Sequence, residues 1–302
     1  MRYIFGPVKS RRFGVSVGID LSPKIKSCNF DCLYCELEKG KKTDYIQNEP
    51  SPKEIIQELK EFFSKNPYPD VITITANGEP TLYTKLDTLI DLLNSIKKSS
   101  KTLILSNAST IPNPKIRKTL SKLDMVKLSV DAVSDTIFKK VDRPLKNISI
   151  TQIISGIKSF RKIFNGELII EVLIVKNIND DIEEIKNIAQ ILREIKPDRV
   201  DIGTIDRPPA YNVDAVSSQK LEELAEYFYG LNVFVIKRKQ SNLKKFSLDE
   251  KDLLKTLKLR PLPKEDILEL FDIGTINKLK DLKKRGLLKE KKIGNIVFMC
   301  VN

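Results

Sequence analysis

The chain has 302 residues and a mass of 34.5 kDa, which is enough for one large domain with a small appendage or for two ordinary domains. Its 41% hydrophobic and 31% charged residues are typical of a soluble globular protein. It contains no histidine, which excludes Ser-His-Asp and Cys-His catalysis and every His-ligated metal centre. The net charge is +13, and residues 237–302 hold 18 Lys and Arg against 9 Asp and Glu. This basic segment is consistent with a polyanionic partner and equally with a solvated lysine-rich surface. No apolar run reaches the length of a membrane span and the N-terminus lacks the apolar core of a signal peptide, so we expect a cytoplasmic protein without membrane contact.

Six short, β-branched and mostly apolar segments predict strands that are buried on both faces. They are residues 14–20, 71–75, 102–106, 125–130, 168–175 and 199–203. Amphipathic segments between them predict helices at residues 52–64, 86–97, 113–120, 151–164 and 181–195. This alternation predicts an α/β fold with right-handed crossovers and a parallel sheet. A further strand at residues 233–237 would end a core domain of residues 1–237.

The rest of the chain predicts a lysine-rich linker, residues 238–249, and a small domain, residues 250–302. Within this domain we expect helices at residues 263–270 and 275–284, a C-cap at Gly286, and a hairpin of residues 287–291 and 296–301 around a turn at 293–295. Two helices followed by a hairpin resemble a winged helix. Residues 275–284 would then be the recognition helix, and five basic side chains would lie near nucleic-acid phosphates: Lys278, Lys280, Lys283, Lys284 and Arg285. Lysines at a helix C-terminus also favour the helix dipole, which explains them without a ligand.

Three of the four cysteines, Cys28, Cys32 and Cys35, lie within eight residues, directly after the first predicted strand, whereas Cys300 stands alone. A four-iron cluster needs four ligands, so three thiolates from one loop leave one iron free for a ligand that is not protein. Zinc is the alternative, but a structural zinc site needs a fourth ligand, and Cys300 is the only other cysteine.

The spacing from Cys28 to Cys35, with the aromatic Tyr34 before the third cysteine, resembles the signature of the radical S-adenosylmethionine (SAM) superfamily. The resemblance implies a partial (β/α)6 TIM-like barrel, a [4Fe–4S] cluster on the three cysteines, and SAM chelated by the open iron. One electron, from a flavodoxin- or ferredoxin-type reductant, would cleave SAM to a 5′-deoxyadenosyl radical that abstracts a substrate hydrogen. The segment Asn77-Gly78-Glu79-Pro80 is similar to the Gly-Gly-Glu-Pro element that holds the SAM amino group, with Asn77 in place of the first glycine.

Polar residues follow the predicted strands, and sites in such barrels form on the loops at the carboxyl ends of the strands. Asn107, Ser129 and Asp131 are candidate partners for the SAM carboxylate and ribose, although each of them could equally cap a helix. Lys176 and Arg207 are candidate substrate-binding residues, and Arg207 suits an anionic substrate.

A narrower similarity, to the wyosine-type Fe–S oxidoreductases, rests on residues 5–14, the cysteine loop and residues 204–210. Arg11 and Arg12 lie just before the first strand, so we expect them at the opposite end of the barrel, in a structural role. Enzymes that make 4-demethylwyosine in tRNA carry a second cysteine-bound cluster, and no cysteine precedes Cys28 here. The similarity therefore supports the family more than that reaction.

Three functions remain open from the sequence. The first is a radical SAM enzyme that acts on tRNA or another nucleic acid through the basic C-terminal domain. The second is a radical SAM enzyme with a peptide or small-molecule substrate. The third, a non-enzymatic Fe–S sensor that binds nucleic acid, is disfavoured by the six-strand body, which a sensor does not need.

Overall fold

The computed structural model describes residues 2–10, 12–235, 245–293 and 296–302. Its main sheet has eight strands, which lie side by side in chain order. They are β1 (Ile4–Ser10), β2 (Gly14–Asp20), β3 (Val71–Thr75), β4 (Lys101–Ser106), β5 (Met125–Ser129), β6 (Glu167–Ile174), β7 (Arg199–Thr204) and β8 (Val233–Val235). Strands β2 to β8 are parallel and β1 pairs antiparallel with β2. The parallel α/β sheet is confirmed, and β1 is an additional strand that the sequence analysis did not predict.

Seven helices of this part of the chain connect the strands: α1 (Pro52–Lys65), α2 (Leu86–Ile96), α3 (Pro114–Leu120), α4 (Asp135–Val141), α5 (Ile150–Arg161), α6 (Ile182–Ile195) and α7 (Ser218–Ala225). Asn113 and Asp181, predicted as first helical residues, are instead N-caps whose side chains accept hydrogen bonds from the backbone of the first turn. The short helices α4 and α7 were not predicted.

Along each strand of the main sheet, side chains that face the apolar core alternate with side chains that face the inside of the curved sheet. One set of positions, such as Val17, Ile72 and Ile170, is fully buried in the apolar core. The intervening positions face a cavity inside the curve of the sheet and are often polar, as at Ser16 and Thr73. Ser16 and Thr73 are buried, as expected for strands that are covered on both faces, but they are polar and line the cavity.

Residues 245–302, here called the C-terminal unit, form a second, three-stranded sheet with three helices. Its elements are α8 (Glu250–Leu259), β9 (Leu262–Pro263), α9 (Lys264–Leu270), α10 (Ile273–Lys284), β10 (Leu288–Ile293) and β11 (Ile296–Val301), and its strand order is β10-β11-β9. Pro263 pairs with Phe298 in the sheet and is not the first helical residue. Gly286 has a φ of 75° and ends α10 as expected, because its amide and that of Leu287 donate back to Lys283 and Leu282. Helix α8 was not predicted, and the winged-helix assignment stays a prediction.

The C-terminal unit packs on β1, which is an edge strand of the main sheet. The Gly6 amide donates to Thr256 Oγ1 at 3.0 Å, and Lys255 Nζ donates to the Ile4 carbonyl at 3.1 Å. Lys9 forms an ion pair with Glu269. Backbone groups at this edge are thus covered by the C-terminal unit.

Some sequence predictions lie outside the described residues: Arg11, the end of the strand at 236–237, most of the linker at 238–244, and the turn residues 294–295. The proposed division into domains stays a prediction. No helix in the described part of the chain is long and apolar enough to cross a membrane.

Candidate active site

A cavity of about 590 Å³ lies inside the curve of the main sheet. Its wall includes inward-facing residues of β2 to β7, the loop with the three cysteines, and residues of the C-terminal unit. Cys28, Cys32 and Cys35 all line it, as do Gly78 and Asn107 from the loops after β3 and β4. The carboxyl ends of several strands thus meet around one space, which is the usual position of active sites in barrels of parallel strands.

The cysteine loop follows β2 and is held by backbone hydrogen bonds to two other loops and to the end of helix α4. Next to Cys28, the Ser27 amide donates to the Asn77 carbonyl, and the Ser27 carbonyl accepts from the Glu79 amide, both at 2.8 Å. Leu33 donates to the carbonyl of Val141 at 3.0 Å, and the Cys35 carbonyl accepts from the Ala210 amide at 2.8 Å. Because these bonds come from both sides of the loop, the three thiols are fixed without regular secondary structure.

The three cysteines are half-buried and surrounded by polar groups. Lys26 Nζ lies 3.6 Å from Cys35 Sγ, and Asn107 Nδ2 lies 3.8 Å from Cys28 Sγ. The Cys32 thiol donates to Asp142 Oδ1 at 3.4 Å. Burial raises the pKa of Cys28 to about 12 and raises those of Cys32 and Cys35. The thiols are therefore protonated at neutral pH, and a metal must displace these protons to bind.

The donor set fits an iron–sulfur cluster, because each thiolate can bind one iron and the fourth iron is left for a ligand that is not protein. Cys300 lies on β11 in the C-terminal unit and does not line the cavity. Within the described ranges, no three His, Cys, Asp or Glu side chains form a group that could hold a single metal ion.

The loop after β3, Asn77-Gly78-Glu79-Pro80, touches the cysteine loop directly. Gly78 has a φ of 137°, and a Cβ atom there would lie 1.9 Å from the Ser27 carbonyl oxygen, so a side chain cannot be accommodated without moving backbone. The Asn77 amide donates to Asp20 Oδ1 at 2.8 Å, and the Asn77 side chain does not line the cavity. Pro80 is buried and begins a 3₁₀ turn.

Glu79 is almost completely buried, with 1% of its surface exposed, and its carboxylate joins two loops. It accepts hydrogen bonds from the Thr81 amide and hydroxyl, from Ser106 Oγ at 2.8 Å and from the Asn107 amide at 2.7 Å. Burial raises the pKa of Glu79, although these bonds oppose the rise. Its observed role is to hold the loops after β3 and β4 in place.

The structure brings three of the other five predicted site residues to the cavity. Asn107 and Ser129 line it at the ends of β4 and β5, and Arg207 lines it after β7. Asp131 does not line the cavity, because its carboxylate is buried and accepts hydrogen bonds from Tyr34 Oη and from the Leu173 amide. Lys176 is exposed and lies outside the cavity wall. The structure therefore does not support Asp131 as a SAM ligand or Lys176 as a substrate residue.

A charged cluster that was not predicted from the sequence lies at the wall of the cavity, which Arg12, Lys127 and Glu171 line. Arg12 donates to Glu171 Oε1 at 2.7 Å and to Asp201 Oδ2 at 2.9 Å, and Lys127 Nζ lies 2.5 Å from the same Glu171 oxygen. Burial raises the pKa of Asp201, with Arg12 and Arg199 opposing the rise. Arg12 does precede β2, as expected, but the cavity extends to it and it is therefore part of the wall. The sequence places one charged residue inside each of the otherwise mostly apolar strands β5, β6 and β7, namely Lys127, Glu171 and Asp201, and this pattern could have indicated the cluster.

The C-terminal unit contributes a further side of the wall. Arg260, at the end of α8, lines the cavity together with Asp266 and Glu269 of α9. Nothing in the sequence indicates that these residues reach the barrel.

Comparison with known proteins identifies the family. Residues 23–203 match the family model described as "Radical SAM superfamily". The chain is 40% identical over 299 residues to a UPF0026 protein of Helicobacter pylori strain J99, covering 98% of this chain and 97% of the relative. It is also 22% identical over 249 residues to the dual-specificity RNA methyltransferase RlmN of Nautilia profundicola, covering 79% and 67% of the two chains.

Two solved structures share the fold. Streptococcus suis SuiB bound to its precursor peptide SuiA superposes with a TM-score of 0.58 at 18% identity, covering 73% of this chain and 48% of that one. TYW1 with a lysine–pyruvate adduct gives a TM-score of 0.53 at 16% identity, covering 74% and 75%. This chain thus spans about half the length of SuiB, and the likeness supports the TIM-like barrel of the superfamily. From the family match and the UPF0026 relative, the chain is an enzyme of the radical SAM superfamily, whose members use a [4Fe–4S] cluster and SAM, and it belongs to the UPF0026 family.

Proposed function

We propose that Cys28, Cys32 and Cys35 bind the [4Fe–4S] cluster and that SAM and substrate occupy the cavity beside them. The observation that carries this proposal is that all three cysteines line one cavity together with Gly78 and Asn107. When bound, the cluster and SAM supply the electron and the 5′-deoxyadenosyl radical of radical SAM chemistry.

The protein residues around the cavity hold and orient these groups. Lys26, 3.6 Å from Cys35 Sγ, favours the thiolate form that binds metal. Gly78 lets the backbone after β3 approach the cysteine loop, so its peptide groups lie beside the cavity. Asn107 and Ser129 offer an amide and a hydroxyl at the ends of adjacent strands, where they can hydrogen-bond the polar groups of SAM.

We propose RNA as the substrate class. The support is the sequence similarity to the RNA methyltransferase RlmN and the basic C-terminal segment. Three of the five basic residues predicted to face phosphates are engaged within the chain: Lys278 with the Leu248 carbonyl, Lys283 with Glu290, and Arg285 with Glu250 and Asp281. Contacts to RNA phosphates would therefore fall first on Lys280 and Lys284, which are exposed. The alternative is a peptide or small-molecule substrate.

The cluster proposal is tested by anaerobic reconstitution of the full chain, followed by iron and sulfide analysis. We expect about four irons per chain, a loss of most of the iron in Cys28→Ser, Cys32→Ser and Cys35→Ser, and no loss in the matched control Cys300→Ser. Addition of dithionite and SAM should then yield 5′-deoxyadenosine. Iron loss in Cys300→Ser would contradict the three-cysteine site, and failure of iron-replete protein to cleave SAM would contradict the enzymatic proposal.

The substrate proposal is tested by adding total RNA to the reduced, reconstituted enzyme with SAM. Digestion to nucleosides and mass analysis should show a modified nucleoside that is absent when Cys32→Ser replaces the enzyme. RNA that stays unmodified, while peptides or metabolites of a cell extract change mass, would favour the alternative substrate class.

A further inference from the structure

Two arginines from different parts of the chain face the cavity near the cysteine loop. Arg207 follows β7, and Arg260 is the residue directly after α8 in the C-terminal unit. Glu36, which follows Cys35, also lines the cavity, and Arg207 Nη1 lies 3.1 Å from Glu36 Oε2. Two guanidinium groups and one carboxyl group thus share this part of the cavity wall.

The two guanidinium groups have unused hydrogen-bond donors. The Nε atoms of Arg207 and Arg260 are both buried and have no hydrogen-bond partner among the described residues. Arg260 also makes no ion pair with a described residue, whereas Lys9, Arg12 and Lys127 on the same wall each pair with a carboxylate. A buried N–H group without a partner is unfavourable, and a bound anion would satisfy both of these donors.

The electrostatic environment of Arg260 also favours a bound anion. Burial, followed by the positive charge of Arg207, lowers the pKa of Arg260 to about 10. An anion placed between the two arginines would offset both effects, and a guanidinium group offers two parallel N–H donors to a carboxylate or phosphate.

We propose that Arg207 and Arg260 bind an oxyanion of the substrate, a carboxylate or a phosphate, so that the C-terminal unit contributes directly to substrate binding. This inference rests on the proposed function in one respect, since it places the substrate in the cavity that holds SAM. It differs from the winged-helix prediction, because the contact is made inside the barrel and not on the exposed face of α10.

The test measures anion binding to the full chain without cluster or reductant, so it is independent of SAM cleavage. Titration calorimetry with pyruvate, inorganic phosphate and adenosine 5′-monophosphate separates a carboxylate from a phosphate ligand. We expect at least one of them to bind, with an affinity that falls tenfold or more in Arg207→Gln and in Arg260→Gln. Arg260→Lys should retain part of the affinity, and the exposed Arg2→Gln serves as the matched control that should leave it unchanged.

Two results would overturn the inference. One is that no anion binds, or that binding is equal in the wild type and in both folded glutamine variants, with folding checked by circular dichroism. The other is that Arg207→Gln and Arg260→Gln weaken binding of SAM itself by the same factor, because the arginines would then bind the SAM carboxylate and not the substrate. If the reconstituted wild type does not cleave SAM but the anion still binds as expected, only the proposed function is contradicted.

Discussion

The contact between Gly78 and Ser27 makes a quantitative prediction, because the two loops that shape the candidate active site meet there without space for a methyl group. In Gly78→Ala the new Cβ would lie 1.9 Å from the Ser27 carbonyl oxygen and 2.4 Å from its carbonyl carbon. Both atoms belong to the backbone, so the loops must separate. Separation weakens the two 2.8 Å hydrogen bonds that join Ser27 to Asn77 and Glu79.

The expected cost has two parts. A non-glycine residue at a φ of 137° costs about 1–3 kcal/mol, and two weakened backbone hydrogen bonds add about 1 kcal/mol each. We therefore expect Gly78→Ala to lower the free energy of unfolding by about 3–5 kcal/mol. The same displacement moves Cys28, the neighbour of Ser27, so iron content after reconstitution should also fall.

Urea unfolding of the full chain, followed by far-UV circular dichroism, measures the first effect. The matched control is Gly230→Ala, since Gly230 also has a positive φ, of 78°, but no atom lies within 4 Å of its added Cβ. This control should cost only about 1 kcal/mol. If Gly78→Ala is no more destabilising than Gly230→Ala, the close contact does not hold the loops together and the reasoning is wrong.

Two further predictions concern buried charges. Asp201 forms ion pairs with both Arg12 and Arg199, and Asp201→Asn removes this shared charge. We expect this variant to lower the free energy of unfolding, measured in urea, by about 3 kcal/mol. The control Asp198→Asn removes a more exposed ion pair with Arg161 and should cost about 1 kcal/mol or less. Burial lowers the pKa of Lys255 to about 8 from 10.5. Between these pH values the unfolded chain binds more protons at Lys255 than the folded chain does, so stability should rise with pH, and Lys255→Met should remove this part of the rise. Equal slopes in the wild type and Lys255→Met would contradict the lowered pKa.

The sequence predicted the parts of the fold that depend on local patterns. The bounds of β2 and β3 are the same in prediction and structure, because their β-branched runs begin and end sharply. Strand β1 was not predicted, because Gly6 and Pro7 are typical of a turn. Only its pairing with β2 in the folded sheet makes this segment a strand. Helices α4 and α7 are too short to show a clear helical period.

For the candidate active site too, local patterns predict some residues, whereas others depend on tertiary packing. The three cysteines could be placed from their spacing, but the direction of a side chain beyond a strand end could not. Ser129 is the last residue of β5 and faces the cavity, whereas the chain bends after it and Asp131 points into the protein, where Tyr34 and Leu173 bind it. Arg260 is far along the chain and reaches the barrel only through the packing of α8 against β1, which no local pattern indicates.

The docking of the C-terminal unit on β1 has a consequence for how the cavity can be altered. The part of the chain that matches the superfamily, residues 23–203, contains the cysteine loop, strands β3 to β6 and most of β7. Arg260 and the other wall residues of the C-terminal unit lie outside that part. Substitutions in the last segment of the chain would therefore change the shape and charge of one side of the cavity without altering the three cysteines or the strands of the matched region.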